Sequence, residues 1–170
     1  MRLLWIVLAL LSVHATAAFS GENAAVEFGA EVNGLRTQVT LVKTPISVGQ
    51  PVEIRYTLRN VSKADLVIWH SGFWPNHQIL VKDAAGSDAV LTALGKQCKA
   101  AFSPGGARDK NFPVTLKPGS DDTSEGDVDL TRFFDLSKPG VYSVQLVYEE
   151  KQSGWSGRCA SNVASFEITK

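Results

Sequence analysis

Apolar residues fall on every second position through most of this chain, and that period points to β-strands rather than helices. Val52, Ile54, Tyr56 and Leu58 share one face, with Glu53, Arg55, Thr57 and Arg59 on the other. Tyr142, Val144, Leu146 and Tyr148 form a second stripe, opposed by Ser143 and Gln145. Ala164, Phe166 and Ile168 form a third near the C-terminus, and Leu35, Val39 and Leu41 a fourth. Shorter strand candidates are 66–69, 78–82, 112–116 and 127–130. Turn signals separate the runs, among them Gly49-Gln50-Pro51, Ala85-Gly86-Ser87, Lys117-Pro118-Gly119 and Lys138-Pro139-Gly140. Roughly eight short strands at this spacing predict an all-β sandwich. The helical candidates are a turn at 131–134 and a stretch at 90–96.

The first 17 residues have a different character. Arg2 supplies a positive start, Leu3 to Val13 is almost wholly apolar, and Ala15-Thr16-Ala17 has the small-x-small form of a cleavage site. This is the pattern of a secretory signal peptide, too short to cross a bilayer. It predicts an exported protein, periplasmic or extracellular, that starts at Ala18. Residues 18–33 then form an arm or edge strand, and 34–170 one sandwich domain. Cleavage would leave 16 basic against 17 acidic side chains, where the full chain has 17 of each. That balance gives no support for binding nucleic acid or anionic membrane by bulk charge.

Two cysteines, Cys98 and Cys159, remain after cleavage. In an exported chain they most simply form one disulfide, which at this loop length contributes at most roughly 4 kcal/mol. Two buried free thiols are the alternative. No His or third Cys stands at ligand spacing beside either one.

Asp129 to Tyr142 is the most distinctive stretch. Pro139-Gly140 turns the chain, and Tyr142 follows two residues later, placed to bury its ring and return its hydroxyl to the backbone. The stretch resembles the corner of an immunoglobulin-like sandwich, with Gly140 and Tyr142 as the structural corner. Val144 stands where an antibody domain carries its inter-sheet Cys. With the Pro51 to Asn60 strand ending in Asn-x-Ser, it is similar to the Ig-like domain preceding the catalytic part of deuterolysin-type and peptidyl-Lys metalloendopeptidases. Stand-alone exported bacterial proteins share the pattern, and a fainter likeness reaches the bacterial intracellular proteinase inhibitors. The resemblance covers residues 35–149. It implies an antiparallel immunoglobulin-like sandwich of about 7–9 strands with Greek-key connections. It implies no peptidase activity, because His-Glu-x-x-His is absent from the chain.

No catalytic set is legible. Ser153 to Cys159 has neither the G-x-S-x-G pattern nor the strand-to-helix setting of a nucleophile elbow. The Gly-rich run 102–108 lacks the Gly-Lys-Ser/Thr of a phosphate loop. Residues 121–129 hold five acids, but an EF-hand register from Asp121 puts Arg132 where a bidentate Glu belongs. His70 and His77 flank Phe73 and Trp74, which leaves open a metal pair, a carbohydrate platform built on Trp69, Phe73 and Trp74, or plain packing. Asn60-Val61-Ser62 is a glycosylation sequon and equally a strand-end turn.

A Cys98–Cys159 bridge would gather Lys96, Lys99, Arg158 and Trp155 into one small basic, aromatic patch. Trp and Arg are favoured anchors of interfaces. With the loops 70–77, 98–111 and 151–159, this patch and Trp74 predict a non-catalytic module that binds a protein partner without cofactor or metal. The alternatives are a proteinase inhibitor, cut slowly at Lys99, Arg108 or Arg158, and a carbohydrate- or metal-binding accessory domain.

Overall fold

The computed structural model describes residues 27–70, 73–104, 112–123, 126–151 and 154–170. The leader at 1–17 and the first part of the arm, 18–26, lie outside them.

Alternation builds the sandwich directly. In β3 (Glu53–Asn60), Ile54, Tyr56, Leu58 and Asn60 point inward while Glu53 and Arg55 face water. β3 pairs antiparallel with β1 (Leu35–Leu41) on one side, and with β7 (Asp121–Asp122) and β8 (Asp127–Asp129) on the other. The second sheet is organised by β9 (Gly140–Glu150). One edge of β9 carries β5 (His77–Asp83). The other edge carries β11 (Ala164–Thr169) beside its first half and β10 (Gly157–Ala160) beside its second. A short β2 (Ile46–Ser47) adds to β11 in parallel. β4 (Leu66–His70) and β6 (Phe112–Leu116) form a separate pair.

Leu35 and Val39 of the first sheet share one core with Val144, Leu146, Tyr148, Phe166 and Ile168 of the second. Each such fully buried side chain contributes about 1.5–3 kcal/mol relative to exposure. The all-β sandwich is as expected. The strand count is not: eleven stand among the described residues. The three extra ones are two to four residues long, β2, β7 and β10. Such lengths are too short to show a period in sequence.

Among the described residues, three helical pieces decorate the sheets. α1 (Phe73–Asn76) is a single turn. α2 (Ala93–Ala101) starts where Thr92 accepts the Gly95 N–H, and it runs five residues past the predicted 90–96 stretch. A 3-10 turn, Leu130–Arg132, is capped by Asp129. Tyr142 buries its ring against Phe166, and its hydroxyl donates to the Lys138 carbonyl at 3.0 Å. Gly140 supports that corner with a φ of +154°, which a residue bearing a Cβ rarely adopts.

The expected disulfide is absent. Cys98 and Cys159 are both free and buried, and they lie far apart. Cys98 is on the inner face of α2, one turn from the buried Gly95. Cys159 sits in β10 opposite Tyr148, with its thiol donating to the Leu35 carbonyl at 3.4 Å. Burial pushes both thiols above their ordinary pKa. Arg132 partly opposes this at Cys98, and hydrogen bonding to Thr37 partly opposes it at Cys159.

Candidate functional site: a groove along the edge of β5

Without the bridge, the predicted basic patch does not assemble. Trp155 is only 4% exposed. Its indole N–H donates to the Val32 carbonyl at 3.1 Å, and its ring lies 5.4 Å from that of Tyr148. It is a core residue. Arg158 reaches Glu149, its cross-strand partner on β9, at 3.4 Å. Lys96 is an exposed cation on α2. Of the five predicted binding residues, the structure brings Trp74 and Lys99 together, and they line a groove of about 260 Å³.

The groove exists because α2 is held away from β5 by a small scaffold. Residues 90–92 are stitched to the 3-10 turn. Thr92 donates its backbone N–H to the Phe133 carbonyl at 3.0 Å and its hydroxyl to the Arg132 carbonyl at 2.7 Å. Asp135 N–H donates to the Val90 carbonyl at 2.8 Å. Gly95 lets the helix sit directly on the Phe133 carbonyl, where a Cβ would collide with that oxygen. At its far end the helix is tied to α1, since Ser103 N–H donates to the Pro75 carbonyl at 3.0 Å. Trp74 packs edge-on against Phe133 with centroids 4.5 Å apart. The space between is walled by Trp74, Leu91, Phe102, Phe133 and Phe134 on the helical side.

On the strand side, Ile79 and Val81 from one face of β5 and Gln78 and Leu80 from the other all line the groove. Side chains of both faces meet only at a strand's edge. The groove therefore runs along the rim of the sheet. Its polar groups are few. Asp88 is held by Lys82 at 2.9 Å, which, with Lys99 nearby, lowers its carboxyl below the usual range. Lys99 has no ion-pair partner among the described residues.

The side chains of the other candidates that the structure describes are engaged within the protein, while that of His70 lies outside what it describes. The His77 ring is buried and stacked on Phe73 at 4.4 Å, with Nδ1 bonded to the Phe73 carbonyl at 2.6 Å. Phe73 and Trp74 thus spend their ring faces on protein. In the acidic run, Asp121 pairs bidentately with Arg59 at 2.6 and 2.7 Å, and Asp127 with Arg55 at 2.8 and 2.9 Å. Among the described residues, no cluster of three or more His, Cys, Asp or Glu could hold a metal ion. Asn60 is fully buried, donating to the Ala64 and Leu116 carbonyls at 2.8 Å each, so in the folded chain its amide is closed to glycan attachment.

No family model matches the chain, and no curated protein matches it either. Among the described residues no helix is long and apolar enough to cross a membrane. What sequence reasoning missed is the groove itself. Phe133 and Phe134 read only as part of a helical turn and Leu91 as part of a helical stretch, and the packing of α2 beside them makes them a wall.

Proposed function

We propose that this chain is a non-catalytic, exported binding domain that takes a protein partner through the groove between β5 and α2. The observation that carries this reading is an open groove with an aromatic wall, bordered by an ionic rim at Asp88 and Lys99. That combination of an apolar centre and a polar rim suits recognition of another protein. Export rests on the leader pattern of residues 1–17 alone, now that the cysteines carry no bridge.

The test is capture from the exported fraction of the source cells, with the folded domain and its Leu80→Lys variant side by side. Leu80 is 38% exposed and lines the groove, so the change adds charge there without emptying the core. A specific protein retained by the native domain and lost with Leu80→Lys is the expected result. A partner held equally by both variants places binding elsewhere and removes the groove from the argument.

A further inference from the structure

β5 is an edge strand that is closed beyond Val81 and, among the described residues, unpaired on its outer side at Ile79. Its neighbour β9 occupies one side over the whole length. On the other side the chain turns back after Asp83, so that Ala89 N–H donates to the Val81 carbonyl and Asp83 N–H to the Ser87 carbonyl. These two bonds fix the polarity of the strand. Within a strand, the N–H and C=O of one residue point to the same side, and alternate residues share that side. Val81 and Asp83 point away from β9, so Ile79 does too. Leu146, which faces Ile79 across the ladder, bonds instead to Ser161 through both its N–H and its carbonyl. Among the described residues, the Ile79 N–H and C=O and the Val81 N–H have no hydrogen-bond partner.

Three main-chain groups thus face the groove in the spacing of an unfinished ladder. The unpaired stretch from Ile79 to Val81 is about 7 Å long at the usual rise per residue. Edges of this kind are usually blunted by charge, proline or a covering loop. Here the covering loop stops at Ala89, and among the described residues no strand is laddered to the remainder.

The geometry points to β-strand addition. The groove takes an extended peptide segment of the partner as an extra strand on β5, with alternate apolar side chains against the wall of Trp74, Phe102 and Phe133 and an acidic residue opposite Lys99. This rests on the reading of the groove as the binding site and specifies how it binds and what it binds. Main-chain bonds supply affinity in such complexes, and pockets for every second side chain supply selectivity. The acidic preference follows from charge: Asp88 is paired with Lys82, and Lys99, close enough to act on Asp88, has no ion pair of its own among the described residues and so favours a ligand carboxylate.

The experiment selects a displayed random decapeptide library on the folded domain, then measures hydrogen exchange of the Ile79 and Val81 amides with the selected peptides bound. Enriched peptides with alternating apolar positions and an acid, lost on Leu80→Lys, are expected. They should slow exchange at Ile79 and Val81. Ile79→Pro removes the outward N–H from an edge position that tolerates proline. It should weaken these peptides roughly tenfold or more, while Ile79→Val leaves them unchanged. If Ile79→Pro fails to fold, the exchange data on the native domain decide alone. Peptides that need Leu80 but leave both amides exchanging freely overturn strand addition and keep the groove as a site. Peptides indifferent to Leu80→Lys, or a library from which nothing is enriched, overturn both. A domain that sediments as a dimer with these amides already slow overturns the proposal in favour of a second copy as the occupant.

Discussion

A buried thiol with no partner sulfur reports its surroundings through its reactivity. Cys98 and Cys159 are both desolvated, which favours the neutral thiol and depletes the reactive thiolate at neutral pH. In denaturant without reductant, the chain should titrate with a thiol reagent as two free cysteines; in the native state both should react far more slowly. No free thiol in denaturant would mean a bridge and a different arrangement of α2. The same burial changes what Trp155 means. Its loss removes contact with Tyr148 and a hydrogen bond to Val32, so Trp155→Ala should destabilise by about 3–5 kcal/mol. Arg158→Ala breaks a pair with Glu149, which keeps Lys151 at 3.2 Å, and a long hydrogen bond to Gln78, and should cost roughly 0–1 kcal/mol. Urea unfolding of the two variants distinguishes a core tryptophan from a surface anchor, because a surface Trp155 would give two similar small losses.

At the scale of elements, charge and close approach hold the short pieces that periodicity cannot. β7 and β8 total five residues, too few to hold by ladder bonds alone, and each is anchored to β3 by a bidentate Arg–Asp pair. Arg55 lowers the Asp127 carboxyl below its ordinary value, mainly through their hydrogen bonds. A carboxyl lowered by folding stabilises above its unfolded pKa, about 3.9, and that contribution is lost as pH falls through the folded value. Asp127→Asn should therefore cost a few tenths of a kcal/mol near neutrality, since the pair is exposed. The difference from the native chain should vanish in acid below the folded value; a difference that persists there would assign the loss to something other than the ion pair. Gly95 tests close approach. Alanine is the better helix former by about 1 kcal/mol, but its Cβ would meet the Phe133 carbonyl, a backbone atom that cannot swing away. Overpacking costs about 1–3 kcal/mol, so Gly95→Ala should lower the melting temperature and lift α2 off its seat, and a rise would show the seat to be looser than drawn. These contacts explain what was legible in the sequence. The long strands β3, β9 and β11 announce themselves because one face is buried and the other wet. β10 was hidden because only four residues pair, and the groove because its walls come from segments forty residues apart, Leu91 beside Phe133 and Phe134.

At the scale of the whole molecule, the distribution of regular structure decides which ways of meeting a peptidase are open. An inhibitor cut at a basic residue must present that residue in an extended, accessible loop that enters a cleft. Lys99 lies inside α2, and Arg158 lies within β10, laddered to β9; Arg108, the third expected cut site, lies outside the described residues. Extending either of the first two would break backbone bonds that the sandwich and its helical cover depend on, whereas Ile79 on β5 already presents its main-chain groups outward in extended form. A strand on an open edge receives a peptide; it does not offer a scissile bond to a catalytic centre. An Arg108→Ala variant in molar excess, left with Lys99 and Arg158 as its expected cut sites, should therefore leave the activity of trypsin-like, subtilisin-like and metallopeptidases unchanged. It should also stay uncut after Lys99 and Arg158 until unfolded, as residual-activity titration and mass analysis of the digest will show. Stoichiometric loss of peptidase activity would return inhibition to first place. Cleavage at Lys99 in the native chain would mean that α2 opens far more readily than its ties to Phe133 and Pro75 allow, and the groove would then lose the fixed helical wall on which its selectivity for alternate apolar side chains depends.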